Sequence, residues 1–368
     1  MLTRAGLLLP RRHVVLHLCR AHGARVHVRA APPHPPRQQS PPLPEPIDPS
    51  QPLGDLTTSP TAPTRPSSSF APWIIGALAA GIGFYTLQLY LAATAPCMHP
   101  HIADLAQQKD VAARYDSTAS DFDSEVGLSE FLMGINSRRK ELAQACRGDV
   151  LEVSCGTGRN LGYHDIIGEG AKVESLAFLD LSPAMVDVCR RKWATLYGSR
   201  TASLKPGLSV RFMTADALSA MPLAPSGKKY TTILQTMGLC STAHPTQLLT
   251  NMVAHLDLTN PDSRILLLEH GRSYLPWLNR ILDNSAQRHA ELHGCWFNRE
   301  IGTLVEEAAA GAGMEVVRER RHHGGTTWVM ELRPTAETIR KAAAAAGESS
   351  SMGEKAVVEK STSWWGTT

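Results

Sequence analysis

The sequence lacks the residue patterns that define several common protein classes. Its seven cysteines include no Cys-x-x-Cys pair and follow no regular spacing; they are Cys19, Cys97, Cys146, Cys155, Cys189, Cys240 and Cys295. This absence argues against a structural zinc site and against a disulfide scaffold. The formal net charge is only +3, so no bulk electrostatic field favours nucleic acid. We therefore predict neither a bound metal nor a nucleic-acid partner.

The first 44 positions contain no acidic residue. The first acid of the chain is Glu45, and the first lysine is Lys109. The same stretch carries seven arginines, which are Arg4, Arg11, Arg12, Arg20, Arg25, Arg29 and Arg37. An arginine-rich, acid-free start with apolar segments is typical of a mitochondrial transit peptide. We predict one over residues 1–44; the simpler alternative is a basic, disordered tail.

Charged side chains are absent again between Arg65 and Asp104. Residues 31–66 hold more than half of the 25 prolines, so we interpret residues 45–70 as an extended linker. The 21 residues Trp73–Ala93 that follow span about 31 Å as a helix, which matches the hydrocarbon core of a bilayer. Nothing foldable precedes this segment, so we prefer a transmembrane helix over residues 71–95 to a buried core helix.

The distribution of arginine around this helix predicts its orientation. Arginine is concentrated before the helix, whereas the first charge after it is Asp104. The positive-inside rule then keeps the N-terminus in the mitochondrial matrix. We predict a single-pass protein of the inner membrane whose globular part faces the intermembrane space.

Strand and helix patterns alternate from residue 149 onward. The segments that read as strands start at residues 149, 176, 208, 232 and 264, and a hairpin across "HHGG" closes the series. Such alternation predicts an α/β fold, namely a doubly wound, Rossmann-like, seven-stranded sheet that is mostly parallel. The predicted domain covers residues 105–335, and residues 336–368 form a tail that is disordered beyond a short helix.

The stretch "LEVSCGTGRN" places Gly156 and Gly158 directly after the first strand, where a doubly wound sheet binds ligands. Glu152 lies four residues before Gly156, and its carboxylate suits an ammonium group better than a pyrophosphate. Asp180, at the tip of the second strand, can accept hydrogen bonds from ribose hydroxyls. Asp216, after the third strand, can accept one from an adenine amino group. The three acids together predict an adenosine that carries an amino acid.

The stretches "LEVSCGTGRN", "LDLSPAMVDVCRR" and "ADALSAMPL" resemble motifs I, II and III of class I S-adenosylmethionine-dependent methyltransferases. The similarity covers about residues 110–333 and points to the branch that includes ubiquinone/menaquinone C-methyltransferases. The stretches "LQTMGLCS", "LLLEHGRS", "LNRILDNSAQRHAELHGCWFNREIG" and "HHGGTTW" resemble a fungal mitochondrial inner-membrane methyltransferase-like family linked to respiratory oxidase assembly. The resemblance implies S-adenosylmethionine as the cofactor.

The resemblance also implies a set of cofactor-binding residues. The methionine end of the cofactor would contact Glu152, Cys155, Gly156 and Gly158. The ribose would contact Asp180 and Leu181, and the adenine would contact Asp216 and Ala217. Gln235 would lie beside the methyl group, and Tyr115 would fold over the cofactor. The sequence departs from the family pattern at two positions: Ser154 stands where glycine is common, and Thr231 stands where an acid is common.

A methyltransferase needs few dedicated catalytic groups, because the sulfonium is already electrophilic and the enzyme mainly aligns the acceptor. Where a proton must leave, a base is needed, and His270 at the tip of the fifth strand is the predicted one. The simpler alternative is a histidine that is capped by local backbone.

Two functions follow. The first is methyl transfer to a small or membrane-borne acceptor, either quinone-like or lipid-like. The second is a non-catalytic, cofactor-binding assembly factor for respiratory-chain complexes. An NAD-dependent oxidoreductase fits less well, because Leu161 stands where the dinucleotide pattern has its third glycine.

Overall fold

The computed structural model describes residues 71–99, 101–219 and 221–346. The predicted transit peptide and linker, and the tail beyond residue 346, lie outside the described residues. The helices are α1 (Ala71–Thr94), α2 (Arg114–Thr118), α3 (Phe122–Leu132), α4 (Ile135–Ala145), α5 (Pro183–Tyr197), α6 (Pro245–His255), α7 (Pro276–His293), α8 (Ile301–Gly311) and α9, described over residues 336–346. The strands are β1 (Gly148–Val153), β2 (Val173–Asp180), β3 (Ser209–Thr214), β4 (Thr232–Thr236), β5 (Arg264–His270), β6 (Met314–His322) and β7 (Thr327–Pro334).

The seven strands form one sheet in the order β3-β2-β1-β4-β5-β7-β6. Strands β1 to β5 pair in parallel, whereas β7 runs antiparallel to both β5 and β6. The predicted seven-stranded, mostly parallel sheet is therefore confirmed. The strand order reverses between β1 and β4, and ligands of such sheets bind beyond the carboxyl ends of the strands at this reversal.

Strand β2 begins three residues earlier than the sequence pattern indicates, at Val173 rather than Leu176. The polar residues Glu174 and Ser175 hide this start from a hydrophobicity pattern. In the fold, Val173 is buried beside Gly148 of β1, and the Ser175 hydroxyl donates a hydrogen bond to Asp149 Oδ1 at 2.5 Å. The partner strand satisfies the polar group, and the sequence alone does not reveal that partner.

Helices cover both faces of the sheet, which explains why its central strands are apolar at successive positions. One face packs against α6 and α8; its buried side chains include Leu151, Ile233, Leu267, Leu249 and Val305. The other packs against α4 and α5; its buried side chains include Val150, Leu234, Leu266, Leu142 and Cys189. Each fully buried aliphatic side chain stabilises the fold by about 1.5–3 kcal/mol, so the sheet is a rigid platform for the loops at its carboxyl edge.

Helix α1 is long and apolar enough to cross a membrane by length and composition, over Pro72–Thr94 with a mean hydropathy of 1.6. None of this window is buried in the protein, unlike the core helix of a soluble domain. The chain after the helix is fixed to α7, because the Met98 backbone N–H donates to Asn284 Oδ1 at 3.0 Å. The membrane crossing itself stays a prediction.

A buried arginine connects the segment before α2 to the loop after β4. Arg299 is 1% exposed; its Nε donates to Gln108 Oε1 at 2.7 Å and its Nη1 to the carbonyl of Thr242 at 2.7 Å. Close by, the Trp296 indole N–H donates to the carbonyl of Lys109 at 3.0 Å. These bonds hold the N-terminal segment against the edge of the sheet where the loops converge.

We predict that Arg299→Met lowers the free energy of unfolding by about 3–5 kcal/mol, because the buried acceptors of Gln108, Leu239 and Thr242 lose their donor. Denaturant unfolding of the purified protein measures this change. The exposed Arg280→Met is the matched control, with an expected change within about 0.5 kcal/mol. Equal effects of the two substitutions would contradict the prediction.

Candidate functional site

A cavity of about 790 Å³ opens at the carboxyl edge of the sheet, where the strand order reverses. Each parallel strand that ends there contributes to the wall. Cys155 follows β1, Asp180 ends β2, Asp216 follows β3, Met237 follows β4 and His270 ends β5. Helices α2, α3, α4 and α7 and the loop after β4 supply much of the remaining wall, so the site combines segments from both ends of the domain.

The structure brings most of the predicted site residues together around this cavity. The predicted residues that line it are Tyr115, Cys155, Gly156, Asp180, Leu181, Asp216, Ala217 and His270. The remaining three, Glu152, Gly158 and Gln235, do not line it. Their placement is a correction to the expected direct contacts.

The carboxylate of Asp180 is held in a fixed orientation. Its Oδ2 accepts the Gly156 backbone N–H at 2.8 Å and its Oδ1 accepts the Ser182 N–H at 2.9 Å. Burial raises the pKa of the Asp180 carboxyl, although both hydrogen bonds act to lower it. Each oxygen keeps a lone pair, which leaves acceptors for the two hydroxyls of a ribose.

The two glycines of the turn have different physical roles. A Cβ at Gly156, whose φ is +53°, would meet no atom within 4 Å, so its side faces the open cavity. A Cβ at Gly158 would lie 2.6 Å from Leu161 Cδ1 and 2.7 Å from Cys189 Sγ. Gly158 therefore permits close packing of the loop against α5 instead of the predicted approach of a ligand.

Glu152 points into the protein and not toward a ligand. It is 1% exposed; its Oε1 accepts a hydrogen bond from Asn160 Nδ2 and its Oε2 lies 3.0 Å from His164 Nε2. Asn160 Nδ2 also donates to Thr236 Oγ1 at 3.2 Å, which connects the turn to the end of β4. Glu152 thus positions the loop, and the sequence pattern could not distinguish this role from direct contact.

Gln235 is fully buried, and its Nε2 donates to Ser154 Oγ at 3.5 Å. Within the described part of the chain, its Oε1 has no hydrogen-bond partner. Ser154 has a φ of +55°, in the left-handed region that favours glycine. The family pattern has glycine at this position, so the departure noted in the sequence carries a local backbone strain of about 1–2 kcal/mol.

A charged group at the other end of the cavity was not predicted from the sequence. Glu130 on α3 accepts hydrogen bonds from Arg139 at 2.8 and 3.0 Å, and from Arg159 Nε at 3.0 Å. Arg139 is 4% exposed and also donates to Thr236 Oγ1 at 2.8 Å. All three charged residues line the cavity. Arg159 Nη1 also lies 3.1 Å from Asp123 Oδ1, and Asp123 pairs with Lys192, so the network holds three cations against two carboxylates. The excess of one positive charge suits an anionic ligand group.

Tyr115 covers part of the cavity from α2. Its hydroxyl donates to the carbonyl of Gly294 at 2.9 Å and lies 2.8 Å from Ser241 Oγ. Its ring packs edge-on against Phe122. Burial raises the pKa of the Tyr115 hydroxyl well above its usual value, so the group stays a neutral hydrogen-bond donor.

His270 stands next to two cysteines that the sequence did not single out together. Its Nδ1 lies 3.5 Å from Cys295 Sγ, which in turn lies 3.1 Å from Cys240 Sγ. A hydrogen bond from Cys295, helped by His270, lowers the pKa of the Cys240 thiol well below its usual value. The three residues come from three separate segments, so no sequence spacing indicates the cluster.

The chain is similar to known proteins in sequence and in fold. The family described as "Methyltransferase domain" matches residues 130–318, which are 189 of the 368 residues. The mitochondrial protein Methyltransferase OMS1 of Saccharomyces cerevisiae is 34% identical over 244 residues. That match covers 63% of this chain and 48% of the yeast protein, so the chain spans about half the length of this curated relative.

Two solved structures illustrate the likeness in fold. One is magnesium protoporphyrin IX methyltransferase from Synechocystis PCC 6803 with bound SAH, with a TM-score of 0.41, 13% identity, and coverage of 61% of this chain and 98% of that chain. The other is a protein from Bacillus halodurans C-125, with a TM-score of 0.39, 12% identity, and coverage of 54% of this chain and 99% of that chain.

The two glycines should respond differently to alanine. We expect Gly158→Ala to lower the free energy of unfolding by about 1–3 kcal/mol more than Gly156→Ala, because only its Cβ overlaps packed neighbours. We expect Gly156→Ala to weaken S-adenosylmethionine binding about tenfold or more, because its Cβ enters the cavity. Denaturant unfolding and calorimetric titration measure the two effects, and the reverse pattern would contradict the roles assigned to the two glycines.

The charged group at Glu130 should make stability depend on pH. Burial alone would raise the pKa of its carboxyl, but Arg139 and Arg159 lower it below the ordinary value of 4.5. The stabilisation is therefore present above that value and is lost as the pH falls through the lower pKa of the folded state. We expect Glu130→Gln to be about 3 kcal/mol less stable at neutral pH, with a difference that narrows as the pH falls below 4.5. The free energy of unfolding of the exposed control Glu306→Gln should follow that of the parent protein at every pH. A difference between Glu130→Gln and the parent that does not change with pH would contradict the assignment.

Proposed function

We propose a function for this chain from an established premise: it belongs to the methyltransferase-domain family, as residues 130–318 show. This membership confirms the predicted enzyme class and the predicted cofactor, S-adenosylmethionine. We propose that the chain transfers the cofactor's methyl group to an apolar, membrane-borne acceptor. The acceptor class is either quinone-like or lipid-like, and the cavity is where the two substrates meet.

The observation that carries the proposal is the order of polar groups around the cavity. Asp180 stands where a ribose would lie, and Asp216 stands one strand further out, where an adenine would follow. Arg139 lies at the end of β4, where its Nη1 donates to Thr236 Oγ1, and together with Arg159 it suits the carboxylate of a methionine. The residues thus suit, in turn, the adenine, the ribose and the methionine carboxylate of S-adenosylmethionine.

The remaining wall of the cavity favours an apolar acceptor. Aromatic and aliphatic side chains dominate it, as is usual for sites of apolar ligands; they include Phe122, Val126, Met133, Leu282 and Phe297. His270 lies on the same wall, so it remains our candidate for removing a proton from the acceptor. Tyr115 and Phe122 would exclude water from the reacting atoms.

Helix α3 carries exposed apolar side chains next to the cavity. Leu128, Phe131 and Leu132 are 69%, 69% and 74% exposed, whereas Val126 and Met133 of the same segment line the cavity. An exposed apolar surface beside a binding site is typical of a membrane or partner contact. Together with α1, this surface supports a site that takes its acceptor from the bilayer.

The cellular location is proposed on similar grounds. The yeast relative is named as mitochondrial, and residues 1–44 have the composition of a transit peptide. We propose that α1 anchors the chain in the mitochondrial inner membrane. The excess of arginine before α1 favours a catalytic domain in the intermembrane space.

The alternative is a cofactor-binding assembly factor without turnover, and it drew support from Thr231 in place of an acid. In the fold, Thr231 precedes β4 and packs beside Gly148, at the end of the strand opposite to the cavity. The substitution therefore leaves the walls of the cavity unchanged. Catalysis is the better-supported function, and respiratory-complex partners remain the alternative outcome of the experiment.

The experiment uses the full chain in detergent with S-adenosylmethionine labelled in its methyl group. We expect calorimetric binding of the cofactor and transfer of label to a component of mitochondrial lipid extracts. Asp180→Asn should weaken cofactor binding about tenfold or more, because its amide replaces an acceptor of the ribose hydroxyls by a donor. The exposed Asp187→Asn on α5 is the matched control and should bind like the parent.

Each outcome has a defined meaning. Cofactor binding without transfer to any lipid fraction would favour the assembly factor. Absence of cofactor binding by a folded parent protein would overturn the proposal.

A further inference from the structure

We propose that Cys240, His270 and Cys295 form a binding site for a zinc ion, with one open coordination position that faces the cavity. Cys240 lies in the loop after β4, His270 ends β5, and Cys295 follows α7. The cavity is lined by His270 and Cys295. The site adds a metal to a chain whose cysteine spacing gives no sign of one.

The geometry of the three ligand atoms fits a tetrahedral ion. The Sγ and Nδ1 atoms of the cluster all lie within 4.8 Å of one another, with 3.5 Å between Cys295 Sγ and His270 Nδ1. Zinc–sulfur bonds of about 2.3 Å and zinc–nitrogen bonds of about 2.0–2.1 Å place such ligands roughly 3.5–3.8 Å apart. The two sulfurs, now 3.1 Å apart, need to separate by only some tenths of an ångström.

The surrounding protein holds the ligands in place before any ion binds. Glu269 accepts the backbone N–H groups of Gly238, Leu239 and Cys240, at 3.0, 3.0 and 3.2 Å. The carbonyl of Cys240 accepts the Trp296 backbone N–H at 2.8 Å, which fixes the loop that carries Cys240 beside the one that carries Cys295. Outer contacts of this kind orient the ligands of metal sites.

The chemistry of the cluster selects the ion. Thiolate and imidazole ligands suit zinc, whereas magnesium and calcium require oxygen ligands. On binding, the thiols of Cys240 and Cys295 release their protons to solvent, and two thiolates neutralise the charge of Zn²⁺. A neutral unit in this buried position avoids the cost of an unpaired buried charge.

Three protein ligands leave the fourth position for a small ligand, as in catalytic zinc sites. That position can take a hydroxyl or thiol group of the methyl acceptor and lower its pKa. This second step rests on the proposed function, whereas the zinc site itself does not. With Nδ1 bound to the ion, His270 would act as a ligand and not as a general base.

The test measures the zinc content of the purified full chain by elemental mass spectrometry. We expect about one zinc ion per chain in the parent protein, and a loss of most of it in Cys240→Ser and in Cys295→Ser. The buried Cys146→Ser, outside the cluster, is the matched control and should keep its zinc. Cobalt added to the metal-free parent should give a thiolate-to-cobalt absorption band that both cluster variants lack.

Calorimetric binding of S-adenosylmethionine separates this inference from the proposed function. A parent protein that binds the cofactor but neither zinc nor cobalt overturns the zinc site alone. A Cys240–Cys295 disulfide found by peptide mapping in the metal-free parent would also overturn it. A parent that binds zinc but not the cofactor overturns the proposed function and leaves the zinc site standing. Circular dichroism of each variant confirms that a loss of metal is not a loss of fold.

Discussion

The carboxylate of Glu269 is the buried group on which the wall of the cavity after β4 depends. It lies next to the end of β5 with no exposure and accepts three successive backbone N–H groups from residues 238–240. Because these N–H groups are buried with the carboxylate, any other conformation of the loop would leave three donors without a hydrogen bond. Ser241, which contacts Tyr115, and Cys240, which contacts Cys295, are both placed by that conformation.

The cavity has two sides that are built differently. The sheet side is set by strand ends and by buried groups such as Glu269 and Asp180. The helix side is set by side chains that α2, α3 and α4 extend toward the sheet, for example Asp116 toward Ser182. The proposed cofactor contacts both sides, through Asp180 on the first and Arg139 on the second.

The sequence predicted those parts of the fold and site that depend on neighbours in the chain. The starts of β4 and β5 agree with the predicted ones, because hydrophobic runs are local signals. Asp180 was predicted for the same reason, since a strand end and a following helix cap mark its place. The sequence did not reveal that Glu152, Gly158 and Gln235 lie inside the protein and not on the wall of the cavity.

Long-range contacts produced the features that no local signal could reveal. Arg139 meets Glu130 and the end of β4 only after α4 has packed on the sheet, and its sequence context, "SRRKE", reads as an ordinary exposed helix face. The cysteines at positions 240 and 295 are separated by two helices and a strand, yet their sulfurs lie 3.1 Å apart. Arg139 and Cys295 both line the cavity, where the central sheet brings together segments far apart in the chain. The chemistry that distinguishes this chain from others of its fold is thus concentrated where sequence spacing is least informative, and its site must be read from the tertiary structure.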